Sequence, residues 1–340
     1  METRIKDREY LKQYDLDIDI FKEFNLEIVD VIPTRKVYLA IGEDKEYVLK
    51  RVDYKKEDIY FIKYLIDSFK NNGFNRLFDY VKTRDGALYL TYEGSTYCMM
   101  EYVKGRECQC SNPIDIDIAT KGIGELHLAG RNIEVNMPGK NLIGEMEQIL
   151  SNKTQVIKEI QKQVCKFPHF REFDEMFMEN VQYYIEQMKN SVKGIKKSSY
   201  KELCEDSRYH TICHHDLAYH NILINEEEAF FVDFDYAIRD IKVHDLRNFI
   251  NKVMKEYFYD IEVAEKILQQ YRKINTLDKK EIEVLYYLLM FPEDFYSISA
   301  AYYKRLKKWE EGTFIKRFEK KAAFREDREK FLIEFKNRFL

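Results

Sequence analysis

Apolar positions change their period several times along this chain. Residues 4 to 24 set Ile5, Tyr10, Leu11, Tyr14, Ile18 and Phe21 at helical spacing among charged neighbours, which predicts a leading helix or two. The pattern then shortens to strand-like runs, LEIVDVIP, KVYLAIG and EYVLKRV, with a turn at Gly42-Glu43-Asp44-Lys45. A helical run, KKEDIYFIKYLIDSFKNNGF, comes next. Three more strands are predicted in RLFDYVKTRDG, ALYLTYEG and STYCMMEYVKG, with turns at Asp85-Gly86 and Glu93-Gly94. From Asp115 the text is helical, and Gln148 to Lys196, highly charged with an apolar stripe, predicts a solvated helical pair.

That helical text is interrupted once, at Thr211 to Asp240: TICHHDLAYHNILINEEEAFFVDFDYAIRD. Two β-rich segments, Asn221–Ile224 and Ala229–Val232, are joined by the turn-like run Asn225-Glu226-Glu227-Glu228. Helical spacing resumes at Val243-His244-Asp245-Leu246-Arg247-Asn248, where Asp245 is a plausible, structural N-cap. The aromatics of VLYYLLMFPEDFYSISAAYYKRLKKW are mostly core, and Tyr and Trp there also suit a pocket for a cationic or sugar-like substrate. His127, in the first helical run of this half, reads as a core or capping histidine.

Composition narrows the class. With 340 residues, 45% hydrophobic and 34% charged, the chain buries a large core under a well-solvated surface, as one two-lobed unit or two domains. The net charge of -4 has no dominant basic block, so nucleic acid is not an expected partner. Only 5 Pro and 12 Gly argue against long flexible linkers. The six cysteines lack zinc-finger or disulfide-scaffold spacing and read as reduced thiols. No signal-like N-terminus and no run of about 18 apolar residues is present, so no membrane is expected and synthesis is expected in the cytoplasm.

The candidate chemistry sits at the interruption. A hairpin over 211–240 brings two acidic clusters to one sheet edge, an arrangement suited to phosphoryl transfer, where positioning and charge neutralisation dominate. Asp216 can accept a hydrogen bond from a substrate hydroxyl and take its proton. Asn221, a neutral oxygen donor, and Asp233, which can bridge cations to β- and γ-phosphate oxygens, suit a hard metal. A zinc reading competes, because His210, His214, His215 and His220 crowd into eleven residues. It is disfavoured: the residues between His210 and His214 are strand-like, and neither HExxH nor paired CxxC occurs.

The spelling His214-x-Asp216-x-x-x-x-Asn221, followed by Val232-Asp233-Phe234-Asp235, resembles the catalytic and metal-binding segments of the protein-kinase-like superfamily, in its aminoglycoside and choline kinase branch. The resemblance implies an α+β, two-lobed kinase-like fold. An antiparallel-sheet N-lobe would span 1–104, and a helical C-lobe 105–340 would carry the hairpin 211–240. It implies ATP and Mg2+ as cofactors, Lys50 as the strand lysine on the α- and β-phosphates, and backbone near Glu101 and Val103 on the adenine edge. Glu57, with Asp53 and Asp58 as alternatives, is the expected acid partner of Lys50. The phosphate-covering loop is expected near Ile32-Pro33-Thr34-Arg35-Lys36, which departs from the superfamily in having no glycine; Arg35 or Lys36 would supply charge.

Further segments narrow the likeness: Lys82–Gly86, Tyr97–Glu107, Glu125–Ala129, Phe291-Pro292-Glu293-Asp294-Phe295, Tyr302-Tyr303 and Lys308-Trp309. Together they resemble the CotS-like spore coat proteins of endospore-forming bacteria, a kinase-like family. That implies either an active small-molecule phosphotransferase associated with the spore coat or a non-catalytic structural protein that keeps the fold. Other coat proteins are expected partners in both cases.

Overall fold

A computed structural model describes Leu11, residues 16–35 and residues 37–340. The chain divides into two compact units, the first running up to Cys108 and including Tyr219–Tyr236, the second holding Gln109–Ala218 and Ala237–Leu340.

The first unit is built on an antiparallel sheet of β1 (Ile28–Thr34), β2 (Val37–Gly42), β3 (Glu46–Val52), β4 (Tyr80–Val81), β5 (Leu90–Tyr92) and β6 (Ser95–Glu101). Their spatial order is β1-β2-β3-β6-β4, with β5 also paired to β6. Strand alternation decides what each face does. Leu49, Ala40, Val31 and Met99 point to one side and pack with Leu11, Leu16, Ile20 and Phe21. The last two belong to a short helix, Ile18–Glu23, capped by the Asp17 carboxylate on the Asp19 amide at 3.0 Å. Lys50, next to Leu49 in β3 and paired in register with Cys98, therefore belongs to the opposite face. Of the predicted leading helices, only Ile18–Glu23 falls in the described region; Ile5, Tyr10 and Tyr14 lie outside the described residues.

The hairpin Ile222–Asn225/Glu228–Phe231 also belongs to this unit, in contrast to the sequence expectation that all of 211–240 stays with the helical half from residue 105 onward. Backbone hydrogen bonds explain the difference. Arg106 pairs with Ile224, the Cys108 amide donates to the Tyr219 and Ile222 carbonyls, and the Phe231 amide donates to the Arg76 carbonyl. Gly105 permits the close approach: at φ +155° its missing Cβ would stand 3.1 Å from the Ile224 carbonyl oxygen. Apolar packing completes the join, with Phe234 against Phe69 of the helix Lys56–Asn71 at 5.9 Å.

The second unit is mainly helical. A two-stranded ladder pairs His210–Cys213 with Ile238–Ile241, beside the buried helix Pro113–Gly130, which begins on an Asn112 side-chain cap. The predicted solvated pair forms as Met146–Val164 and Glu172–Lys197, each burying one stripe. Among the described residues, no helix is long and apolar enough to cross a membrane.

Candidate active site

In the first unit, chemistry converges on Lys50. Its ammonium meets Asp233 Oδ1 and Asp235 Oδ2, each at 2.6 Å, although 183 and 185 residues separate them in sequence. The acid partner is thus not Glu57, which is exposed in the first turn of the helix Lys56–Asn71. Burial alone would lower the Lys50 pKa, but the two carboxylates outweigh it and raise it. Asp235 is lifted by burial, pulled back by Lys50 and lifted again by Asp233, ending at about 6. Tyr54 bonds to Asp235, and burial followed by that acid's charge raises its hydroxyl's pKa well above the ordinary value. Two carboxylates on one ammonium leave a surplus negative charge and hard oxygen donors. With the Asp233 carboxylate 37% exposed, these residues fit a divalent cation such as Mg2+.

Backbone geometry reinforces the placement. Asp233 sits at φ 65°, in the left-handed region that Asp tolerates better than most residues. Asn221 is buried, and its carbonyl accepts the Val232 amide at 3.0 Å, tying the loop of one expected metal ligand to the strand end of the other. At the end of β6, the Glu101 amide is spent on the Asp79 carbonyl and the Tyr102 amide on Glu46. Glu101 thus has no amide donor left for a base edge.

Asp216 belongs to the second unit and is held from two sides. Its carboxylate accepts Lys252 Nζ at 2.7 Å, and its amide donates to His214 Nδ1 at 3.3 Å. The loop itself hangs on Asp245, whose two oxygens accept the His214 and His215 amides at 2.6 and 2.8 Å. Asn248 donates to the His215 carbonyl at 2.8 Å. Burial would raise the Asp245 pKa, but His127 and the loop amides bring it down to about 2. His215 is driven down to about 3 by burial and then by neighbouring His244, so it is neutral at ordinary pH. Asp245 is not the N-cap: Lys242 holds that place, and Asp245 lies within the first turn of Val243–Met254.

The crowded histidines do not form a zinc site. His210 bonds to the Leu203 carbonyl, and His214 and His215 serve the loop. Among the described residues, one group of ligand types clusters closely enough for an ion, His127, Cys213 and Asp245, and it is fully buried. Burial pushes the Cys213 thiol well up, so without an ion it is neutral. His127 instead links Tyr271 at 2.8 Å to Asp245 at 3.2 Å.

The sequence reading places Asp235 beside Asp233 but gives it no role, and it passes over Tyr54 and Lys252, which nothing local marks. The expected phosphate-covering loop is mostly strand: Ile32, Pro33 and Thr34 belong to β1 and pair with Leu39, Tyr38 and Val37. Arg35, at φ 54°, is bound to Glu107 at 2.7 Å, and Lys36 lies outside the described residues.

Comparison with known proteins gives the same architecture. The family model "Spore coat putative kinase YutH" matches residues 17–335. Spore coat protein S of Bacillus subtilis (strain 168) is 22% identical over 303 residues, covering 88% of this chain and 86% of that protein. An aminoglycoside phosphotransferase from Alicyclobacillus acidocaldarius superposes with a TM-score of 0.80 at 14% identity, over 95% of this chain and 96% of the other. A spectinomycin phosphotransferase solved with ADP and spectinomycin gives 0.68 at 15% identity, over 97% of both chains. The expected α+β kinase-like fold is therefore the fold observed, with an antiparallel sheet in the N-terminal region and a mainly helical C-terminal region.

Proposed function

Because the chain belongs to the spore coat putative kinase YutH family, we propose that it is an ATP- and Mg2+-dependent phosphotransferase acting on a small-molecule hydroxyl in association with the spore coat. The observation that carries this reading is Lys50 held between Asp233 and Asp235 at 2.6 Å each. A strand lysine and two hairpin carboxylates so far apart in sequence meet where a nucleotide triphosphate needs one cation and a metal site.

Each residue has a physical task. Lys50 neutralises charge on the α- and β-phosphates, leaving the carboxylates for metal coordination. Asp233 and Asn221 would hold the Mg2+, which when bound supplies charge neutralisation at the phosphate oxygens. Asp216 accepts the acceptor's hydroxyl proton, and Lys252, at 2.7 Å, fixes the orientation of its carboxylate. With the Glu101 amide committed, the Glu101 carbonyl and the Val103 amide are the remaining pair for the adenine edge. Synthesis in the cytoplasm followed by deposition among other coat proteins fits the family.

A second reading, a coat protein without turnover, is favoured by the absence of glycine from Ile32-Pro33-Thr34-Arg35-Lys36, where the phosphate-covering loop is expected. Thermal unfolding of the wild type and Asp233→Asn, with and without Mg-ATP, separates the two. Nucleotide at about a hundred times its Kd stabilises by about 2.7 kcal/mol. A Mg-dependent rise in Tm lost in the variant supports the phosphotransferase. No rise at millimolar nucleotide refutes it and favours the coat protein.

A further inference from the structure

Asp216 also lines a cavity of about 430 Å3 in the second unit, within the size range of small-molecule sites. Its wall includes Phe291-Pro292-Glu293-Asp294-Phe295, a segment whose aromatics and acids would suggest a cationic guest from sequence alone. Its charges say otherwise. Asp294 is clasped by Lys255 at 2.6 Å and Lys321 at 2.5 Å. Glu293 is bound by Lys153 at 2.7 Å and Arg247 at 3.1 Å, and Asp216 by Lys252. Every carboxylate of the wall is thus already met by at least one cation. Burial works to raise the Asp294 pKa, yet the two lysines hold it well below the ordinary range.

The wall carries five cationic side chains (Arg247, Lys252, Lys255, Lys321 and Arg328) against three carboxylates, Asp216, Glu293 and Asp294, an excess of two positive charges. Arg328 contributes to the excess because it donates to neutral acceptors, Gln187 Oε1 and the Leu289 and Met290 carbonyls. A cationic guest would meet acids already neutralised by the lysines and arginine, and would be repelled by the surplus positive charge. An anionic guest gains attraction from the surplus and can share the lysines, whose three donors are not exhausted by one carboxylate. Phe295 and Tyr259 add an apolar wall suited to a ring.

We propose that this cavity binds a hydroxylated small molecule bearing an anionic group, carboxylate or phosphate, and so selects an anionic acceptor for transfer at Asp216. The proposal rests on the phosphotransferase reading for the transfer step but not for binding. A matched hexose series tests it: glucose 6-phosphate, glucuronate, glucose and glucosamine, each measured by calorimetry without nucleotide and by ADP release with Mg-ATP. At least one anionic member should bind tenfold or more tightly than glucose and glucosamine, and which one separates phosphate from carboxylate. Lys255→Gln/Lys321→Gln should lose that preference, while Lys321→Arg should keep it if the double variant fails to fold. Glucosamine binding as tightly as the anions, or no member binding at millimolar concentration, overturns the proposal. Anion-selective binding without any ADP release leaves the cavity assignment standing and overturns the selection of an acceptor for transfer at Asp216. Turnover of glucosamine leaves the phosphotransferase standing and overturns the cavity assignment.

Discussion

Replacing Asp235 with Asn should make the protein more stable at neutral pH and worse at its proposed work. Asp235 shares Lys50 with Asp233, and its pKa stands at about 6 against an ordinary 3.8. Two units of pKa correspond to about 3 kcal/mol of penalty on the charged form. The side chain is 20% exposed, so solvent screens part of that figure and it is an upper value. The sign follows from proton binding. Between roughly pH 4 and 6 the folded state holds a proton that the unfolded chain has released, so stability falls as pH rises through that window. The penalty is absent below it and complete above it.

Asparagine imitates the protonated acid, keeps an oxygen for Tyr54 and leaves Lys50 paired with Asp233. Asp235→Asn should therefore match the wild type near pH 4 and exceed it by up to about 3 kcal/mol at pH 7, or about 4 °C in Tm for a chain of this length. Calorimetric unfolding of both proteins at the two pH values measures the difference directly. The same variant should weaken Mg-dependent stabilisation by ATP, because one of the two carboxylate charges beside Lys50 is gone and only a neutral oxygen remains in its place. A variant less stable than the wild type at pH 7, or one whose offset is the same at both pH values, would refute the electrostatic reasoning.

Other substitutions probe separate joints. Asp216→Asn should cut turnover by about 10²- to 10⁴-fold while leaving the Mg-ATP thermal shift intact, since Lys50, Asp233 and Asn221 are untouched; near-normal ADP release would remove Asp216 from the role of base. Lys242 and Glu281 form an ion pair at 2.6 Å with side chains 2% and 1% exposed, and burial both lowers the lysine and raises the acid. Lys242→Met alone should cost about 3–5 kcal/mol by stranding a buried charge, and Lys242→Met/Glu281→Leu should recover most of it. Urea titrations of the two variants decide, with equal losses counting against the argument.

Legibility in the sequence followed how locally each feature is written. Asp216, Asn221 and Asp233 sit in one thirty-residue stretch whose strand periodicity and polar residues are contiguous, so they could be proposed together from local text alone. The partners of Lys50 could not. A search by helical spacing leads to Glu57, whereas the contact closes over 183 residues through the sheet and hairpin. Lys252 and Asp245 reach the loop from one helix face, seven residues apart and 36 and 31 residues beyond Asp216 and His214. In the helical text they are an ordinary lysine and an ordinary first-turn acid. The unit boundary was misjudged for a similar reason, since the Cys108 amide bonds that draw residues 219–236 to the sheet leave no trace in periodicity.

Backbone strain was the least visible feature, and it bears most directly on mechanism. His215 and Asp233, one beside the proposed base and the other the proposed metal ligand, both take positive φ, 67° and 65°. Neither is glycine, and although His and Asp adopt that conformation more readily than most residues, neither residue type by itself announces it in a sequence. Each such residue carries on the order of 1–3 kcal/mol, which the surroundings must offset. At His215 the offset is identifiable: its amide is fixed by Asp245 and its carbonyl by Asn248. Asp245 keeps those bonds as a fully buried carboxylate that stays ionised, so loop shape and loop charge depend on one side chain. Asp245 is thereby a positioning residue for Asp216: it sets the backbone that presents the proposed base, while Lys252 orients the carboxylate itself.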